Sequence, residues 1–113
     1  MLGGTLPDYV KTTPTTIIKL TTGMGQTLIV RPEQEVLGIG GYKRAESFST
    51  NDFLAFYTGK SKTPKIDINN WVKSNLKKVS IQHVERMDFY QGLIDFESEN
   101  NYIIVDNFVL KNK

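Results

Sequence analysis

Residues 15–31 read Thr-Thr-Ile-Ile-Lys-Leu-Thr-Thr-Gly-Met-Gly-Gln-Thr-Leu-Ile-Val-Arg. Two runs rich in β-branched residues flank Gly23-Met24-Gly25, and a three-residue loop with glycine last suits a type I turn followed by a bulge. Placing Thr22 opposite Gln26 pairs Leu20 with Leu28 and Ile18 with Val30 on one face. The other face then pairs Thr21 with Thr27 and Lys19 with Ile29. One side is apolar and the other mostly polar, the pattern of an antiparallel pair with one wet face. A β-hairpin over 15–31 is predicted, with Ile18, Leu20, Leu28 and Val30 inward.

Upstream, Gly3, Gly4, Pro7 and Pro14 break any regular element, so residues 1–14 are predicted to form an extended N-terminal arm. Downstream, Pro32 ends the strand, and Val36 to Tyr42 reads as a third strand kinked at Gly38, Gly40 and Gly41. A helix is predicted over about 50–58, capped by Ser49 or Thr50, with Asn51 and Asp52 in its first turn and Gly59 just past its end. Phe53, Leu54, Phe56 and Tyr57 make that helix apolar nearly all round. A second short helix is predicted over about 70–78, where Val72 and Leu76 stand one turn apart beside Trp71. Val79, Ile81 and His83 then alternate with polar residues as a strand does.

A second hairpin is predicted over 89–110, joining Phe89–Phe96 to Tyr102–Leu110 through residues 97–101. Setting Phe96 opposite Tyr102 pairs Ile94 with Ile104 and Tyr90 with Phe108 on one face. The reverse face pairs Leu93 with Val105 and Phe89 with Val109. Both faces are apolar, so both must be covered, by the chain itself or by a partner. The fold class that results is α+β: two antiparallel β-hairpins, additional strands and two short central helices. Residues 15–113 form a single α+β domain.

Composition bounds the function. The 113 residues are 39% hydrophobic and 11% aromatic, with a net charge of +2, which suits a folded domain and not a dedicated polyanion binder. The sequence holds no cysteine and one histidine, His83, which excludes disulfides, thiolate zinc sites and multi-histidine metal sites. The first residues lack the basic and apolar regions of a signal peptide, and no apolar run is long enough to span a bilayer. A cytoplasmic or virion location, with no membrane partner, is the expectation. Few alanines among many Lys, Asn, Ile and Phe point to an AT-rich genome, viral or bacterial.

Partial motifs fail on context. Thr58-Gly59-Lys60-Ser61 resembles the end of a phosphate-binding loop, but Leu54 stands where that loop needs glycine, and Pro64 blocks the helix that should follow. The first part of a dinucleotide fingerprint, Gly38-Ile39-Gly40-Gly41, has Lys43 in place of the third glycine. His83 and Glu85 would share one side of a strand, giving at best half a metal site. Asp95, Glu97 and Glu99 read as a solvated hairpin tip. Six lysines (Lys60, Lys62, Lys65, Lys73, Lys77, Lys78) against one acid, Asp67, with Trp71 among them, form a basic segment able to contact nucleic acid.

These readings predict no catalytic residues, no metal, no cofactor and no enzymatic activity. The expected function is a structural or protein-interaction subunit of a larger assembly, viral or phage-like, forming homo- or hetero-oligomers with other protein chains. Phe89, Leu93, Val105 and Val109, with Leu6 and Tyr9 of the arm, would form the interface. The alternative is a nucleic-acid-binding accessory protein using the Lys60–Lys78 segment.

Overall fold

The structure, a computed structural model, describes residues 15–89 and 101–112. It contains strands β1 (Thr15–Thr22), β2 (Thr27–Val30), β3 (Glu35–Gly38), β4 (Gly41–Arg44), β5 (Phe53–Tyr57), β6 (Leu76–Phe89), β7 (Tyr102–Val105) and β8 (Phe108–Lys111). Their order in the sheet is β2-β1-β6-β5-β3-β8-β7, with β4 beside β3 and a further pairing of β5 with β8. Every pairing is antiparallel. The helical structure among the described residues is a single 3₁₀ turn at Ala45–Ser47.

The first hairpin adopts the register read from the sequence, with Ile18 opposite Val30 and Leu20 opposite Leu28. Strand β6, 14 residues long, is the spine of the fold. Its first part pairs with β5, from Leu76 opposite Tyr57 to Ser80 opposite Phe53. Its second part pairs with β1, ending at Phe89 opposite Thr15. The partner changes at Ile81, which exchanges hydrogen bonds with Asn51 and Asp52, and a bulge at Thr21/Thr22 marks the same level on β1. Bulges bend and twist a strand, which suits a sheet that folds its β1–β2 end back over the rest.

Burial shows the result. Ile18, Leu20, Leu28 and Val30 pack with Val36, Leu54, Phe108 and Leu110 in one buried cluster. Leu37, Ala55, Tyr57, Leu76 and Val109 form a second, with Tyr42, Ile66, Trp71 and Tyr102 against it. Neighbours along one strand therefore enter different clusters: Leu54 and Ala55, Val36 and Leu37, Phe108 and Val109. This sheet is greasy on both sides because both sides are covered from within the chain.

The α+β class is corrected accordingly. Residues 50–58, expected as a helix, form a turn at Thr50–Asn51 followed by β5, and residues 70–78, the second expected helix, are turns followed by the start of β6. Asn51 and Asn75 have φ of 78° and 58°, left-handed values that no helix interior tolerates. Pairing of Phe53–Tyr57 with both β6 and β8 outweighs the local capping pattern, as tertiary context routinely does. The second hairpin is also different. Tyr102–Leu110 is not one strand but β7 and β8 folded on each other, Val105 opposite Phe108. The two-residue turn between them, Asp106 and Asn107 at φ 52° and 74°, has the positive φ pair of a type I′ turn. The predicted strand pairing over Tyr90–Phe96, the acidic tip Asp95–Glu99 and the arm 1–14 lie outside the described residues.

Candidate functional site

Gln34 sits in the turn that carries β2 into β3. Its backbone N–H donates to Arg31 O at 3.1 Å, and its carbonyl accepts from Ala45 N at 2.8 Å, so its backbone is fixed at both ends. Its side-chain Nε2 donates to Glu35 O and to Lys111 O, each at 2.9 Å. Lys111 is the last residue of β8, and β8 is placed beside β3 by the pairing of Val36 with Leu110. Its Nζ stands 3.6 Å from the Glu35 carboxylate. The next residue, Asn112, donates its backbone N–H to Asn101 O at 2.9 Å. The peptide group between Lys111 and Asn112 is thus held at both poles, its oxygen by Gln34 and its nitrogen by Asn101.

Charged groups surround the same turn. Glu46 accepts from Arg44 at 2.7 Å and Arg86 at 3.2 Å, tying the 3₁₀ turn to β6. These pairs are half exposed and contribute little stability; their effect is to fix the edge of the turn. Tyr42, opposite Leu37 in β4, has its hydroxyl pKa raised, first by burial and then by Tyr102 and Glu35. On the other flank, Asp52 has its pKa lowered, first by the Ser49 backbone N–H and further by Lys43, with partial burial opposing.

Chemically, a donor on a ground-state peptide oxygen is an ordinary hydrogen bond; it stabilises negative charge on attack only where the same N–H reaches the position the oxyanion takes. No cysteine exists in the sequence, so a nucleophile here is a hydroxyl, a side-chain amide or water. His83 is elsewhere: it lies on β6 opposite Thr21, with Nε2 3.3 Å from Glu85. Among the described residues, no three His, Cys, Asp or Glu side chains are placed to share a metal. No helix among the described residues is long and apolar enough to cross a membrane.

Of the residues expected to form an interface, two have described side chains, Val105 and Val109. Val109 is fully buried in the second cluster, and Val105 packs on the first. Leu6, Tyr9 and Leu93 lie outside the described residues, as does the Phe89 side chain. Of the basic segment, Lys60, Lys65 and Lys73 line one groove and Lys62 is exposed nearby. Lys77 and Lys78 are on β6, over the rings of Phe56 at 5.9 Å and Phe53 at 4.8 Å. Trp71 packs against the second cluster. Nothing in the sequence around Gln34 marks it as a functional residue. It is 77 residues from Lys111, and no local motif announces the contact.

No protein family and no curated protein matches the sequence. Solved structures do match the fold. A variant of the Ssp DnaB mini-intein superposes with a TM-score of 0.68 at 16% identity, over 89% of this chain and 61% of that one. A mutant of that variant gives 0.65 at 16% identity, over 90% of this chain and 66% of that one. The chain therefore spans under two thirds of the length of either, and identity at this level shows the fold alone. The likeness is to inteins and not to structural subunits, which overturns the expectation of an assembly subunit, viral or otherwise.

Proposed function

We propose that this chain is a self-processing domain of the intein kind, acting on the backbone of the polypeptide that contains it. Inteins are self-splicing protein domains, and the present chain shares their fold over most of its length. The observation that carries the reading to particular atoms is the Lys111–Asn112 peptide group, with Gln34 Nε2 on its oxygen at 2.9 Å. A hydroxyl or water adding to the Lys111 carbonyl carbon would turn that oxygen into an oxyanion facing the Gln34 donor. Collapse breaks the carbon–nitrogen bond, and the Asn112 nitrogen leaves with a proton. A hydrogen bond that strengthens as charge develops is a large term in acyl transfer.

The expectation that the chain does no catalysis rests on the lack of convergent polar groups in the sequence, and one experiment separates the two readings. The full chain is placed between two carrier proteins, purified as the precursor and incubated. Self-processing yields shorter carrier fragments, or the two carriers joined. A precursor that stays intact under all conditions in which it is folded contradicts the proposal.

A further inference from the structure

The groove that holds Lys60, Lys65 and Lys73 is built by two tied loops. Tyr57 Oη donates to Ser61 O at 3.0 Å, and Gly59 lies so close over the Tyr57 ring that a side-chain carbon there would collide with it. Tyr102 Oη donates to Pro64 O and accepts from Ile66 N. In the second loop, Ser74 is 3% exposed; its hydroxyl accepts from Asp67 N at 2.7 Å and donates to Asp67 O at 3.2 Å. Thr58 joins the loops by donating from both N–H and hydroxyl to Asn75 O. The space between them is about 530 Å³, within the range of small-ligand sites.

The lysines of this groove lack the partners that other cations of the protein have. Lys43, Arg44, Arg86 and Lys111 each stand beside a carboxylate. Among the described residues, none of Lys60, Lys65 and Lys73 does. The one acid lining the groove, Asp67, turns its Oδ1 to the Asn69 N–H at 2.9 Å. Among the described residues, three lysines and one acid line this concavity, a balance that favours a multiply charged anion. We propose that this groove binds phosphate groups through Lys60, Lys65 and Lys73, presented either by a nucleic-acid strand or by a small polyphosphate. Lysine serves as a point charge for phosphate and needs no forked geometry. The inference does not depend on self-processing.

Binding of a fluorescent single-stranded oligonucleotide and of inorganic triphosphate to the full chain tests it. Saturable binding of at least one probe is expected, weakened at least tenfold when Lys60, Lys65 and Lys73 are all changed to Gln. For the oligonucleotide, the slope of log affinity against log salt should fall by about 2, three contacts at roughly 0.7 each. Lys77→Gln with Lys78→Gln, outside the groove, should change affinity far less. Tighter binding of the oligonucleotide assigns the site to a strand, and tighter binding of triphosphate to a small anion. No saturable binding of either probe, or equal losses from the two sets of variants in protein whose circular dichroism is unchanged, overturns the proposal.

Discussion

Leu28→Ala and Ile29→Ala are neighbouring changes in one strand with very different expected costs. Leu28 is 1% exposed and stands opposite Leu20, inside the first cluster. Truncation removes three carbons, about 2.4 kcal/mol at roughly 0.8 kcal/mol each. Ile18, Val30 and Ile81, pinned in paired strands, cannot fully close the space, and the cavity raises the expected loss to about 2–5 kcal/mol. Ile29 is 42% exposed and faces Lys19 on the outer side, so its truncation leaves no closed cavity and should cost about 1 kcal/mol or less. Urea unfolding followed by fluorescence of Trp71, the only tryptophan, reads both losses as midpoint shifts at constant slope. Side chains alternate strictly along a strand, so a slip of one residue would exchange the two roles. Equal losses, or the larger loss at Ile29, would refute the register and the inward face of the hairpin.

Val105→Asp places a charge against the first cluster, where Val105 packs; the expected outcome is loss of the folded chain itself, seen by circular dichroism, and not dissociation of an oligomer of folded chains. Acid should weaken the 49–52 turn. Asp52 has a pKa below its ordinary 3.8 when folded, so its contribution is present above that value and is lost as pH falls through the lower, folded one. Melting temperature measured from pH 5 downward should therefore drop less steeply in Asp52→Asn than in the parent chain.

The legibility of the fold in the sequence followed the wetness of its faces. β1 and β2 have one apolar face and a polar reverse, so Ile18, Leu20, Leu28 and Val30 announce both strand and register. Phe53–Tyr57 is buried on both faces, and a doubly buried strand has no alternation to read, which makes it resemble a buried helix segment. The capping pattern at Ser49–Asp52 is real chemistry put to another use: Asp52 accepts from the Ser49 N–H at 2.8 Å and closes a turn. Between β7 and β8 the turn residues are Asp106-Asn107 without a glycine, so the left-handed pair passed as strand; Asn and Asp tolerate that conformation. The lysines were legible as charge, but their separation into a groove set and a β6 pair depends on where strand β6 begins. The Gln34–Lys111 contact depends wholly on the pairing of β3 with β8, and nothing local to either residue encodes it.

The most direct test of the central reading is the identity of any new chain end in the precursor carrying both flanking carriers, determined by mass spectrometry over a time course. A break at the Lys111–Asn112 bond is expected, at a rate that falls by up to about 10²-fold in Gln34→Ala, the low end for one oxyanion donor because this hydrogen bond is exposed. That variant should still fold, since it removes one partly exposed amide. A precursor that remains whole, a break elsewhere in the chain, or an undiminished rate in Gln34→Ala would contradict the assignment of that peptide group as the reacting one.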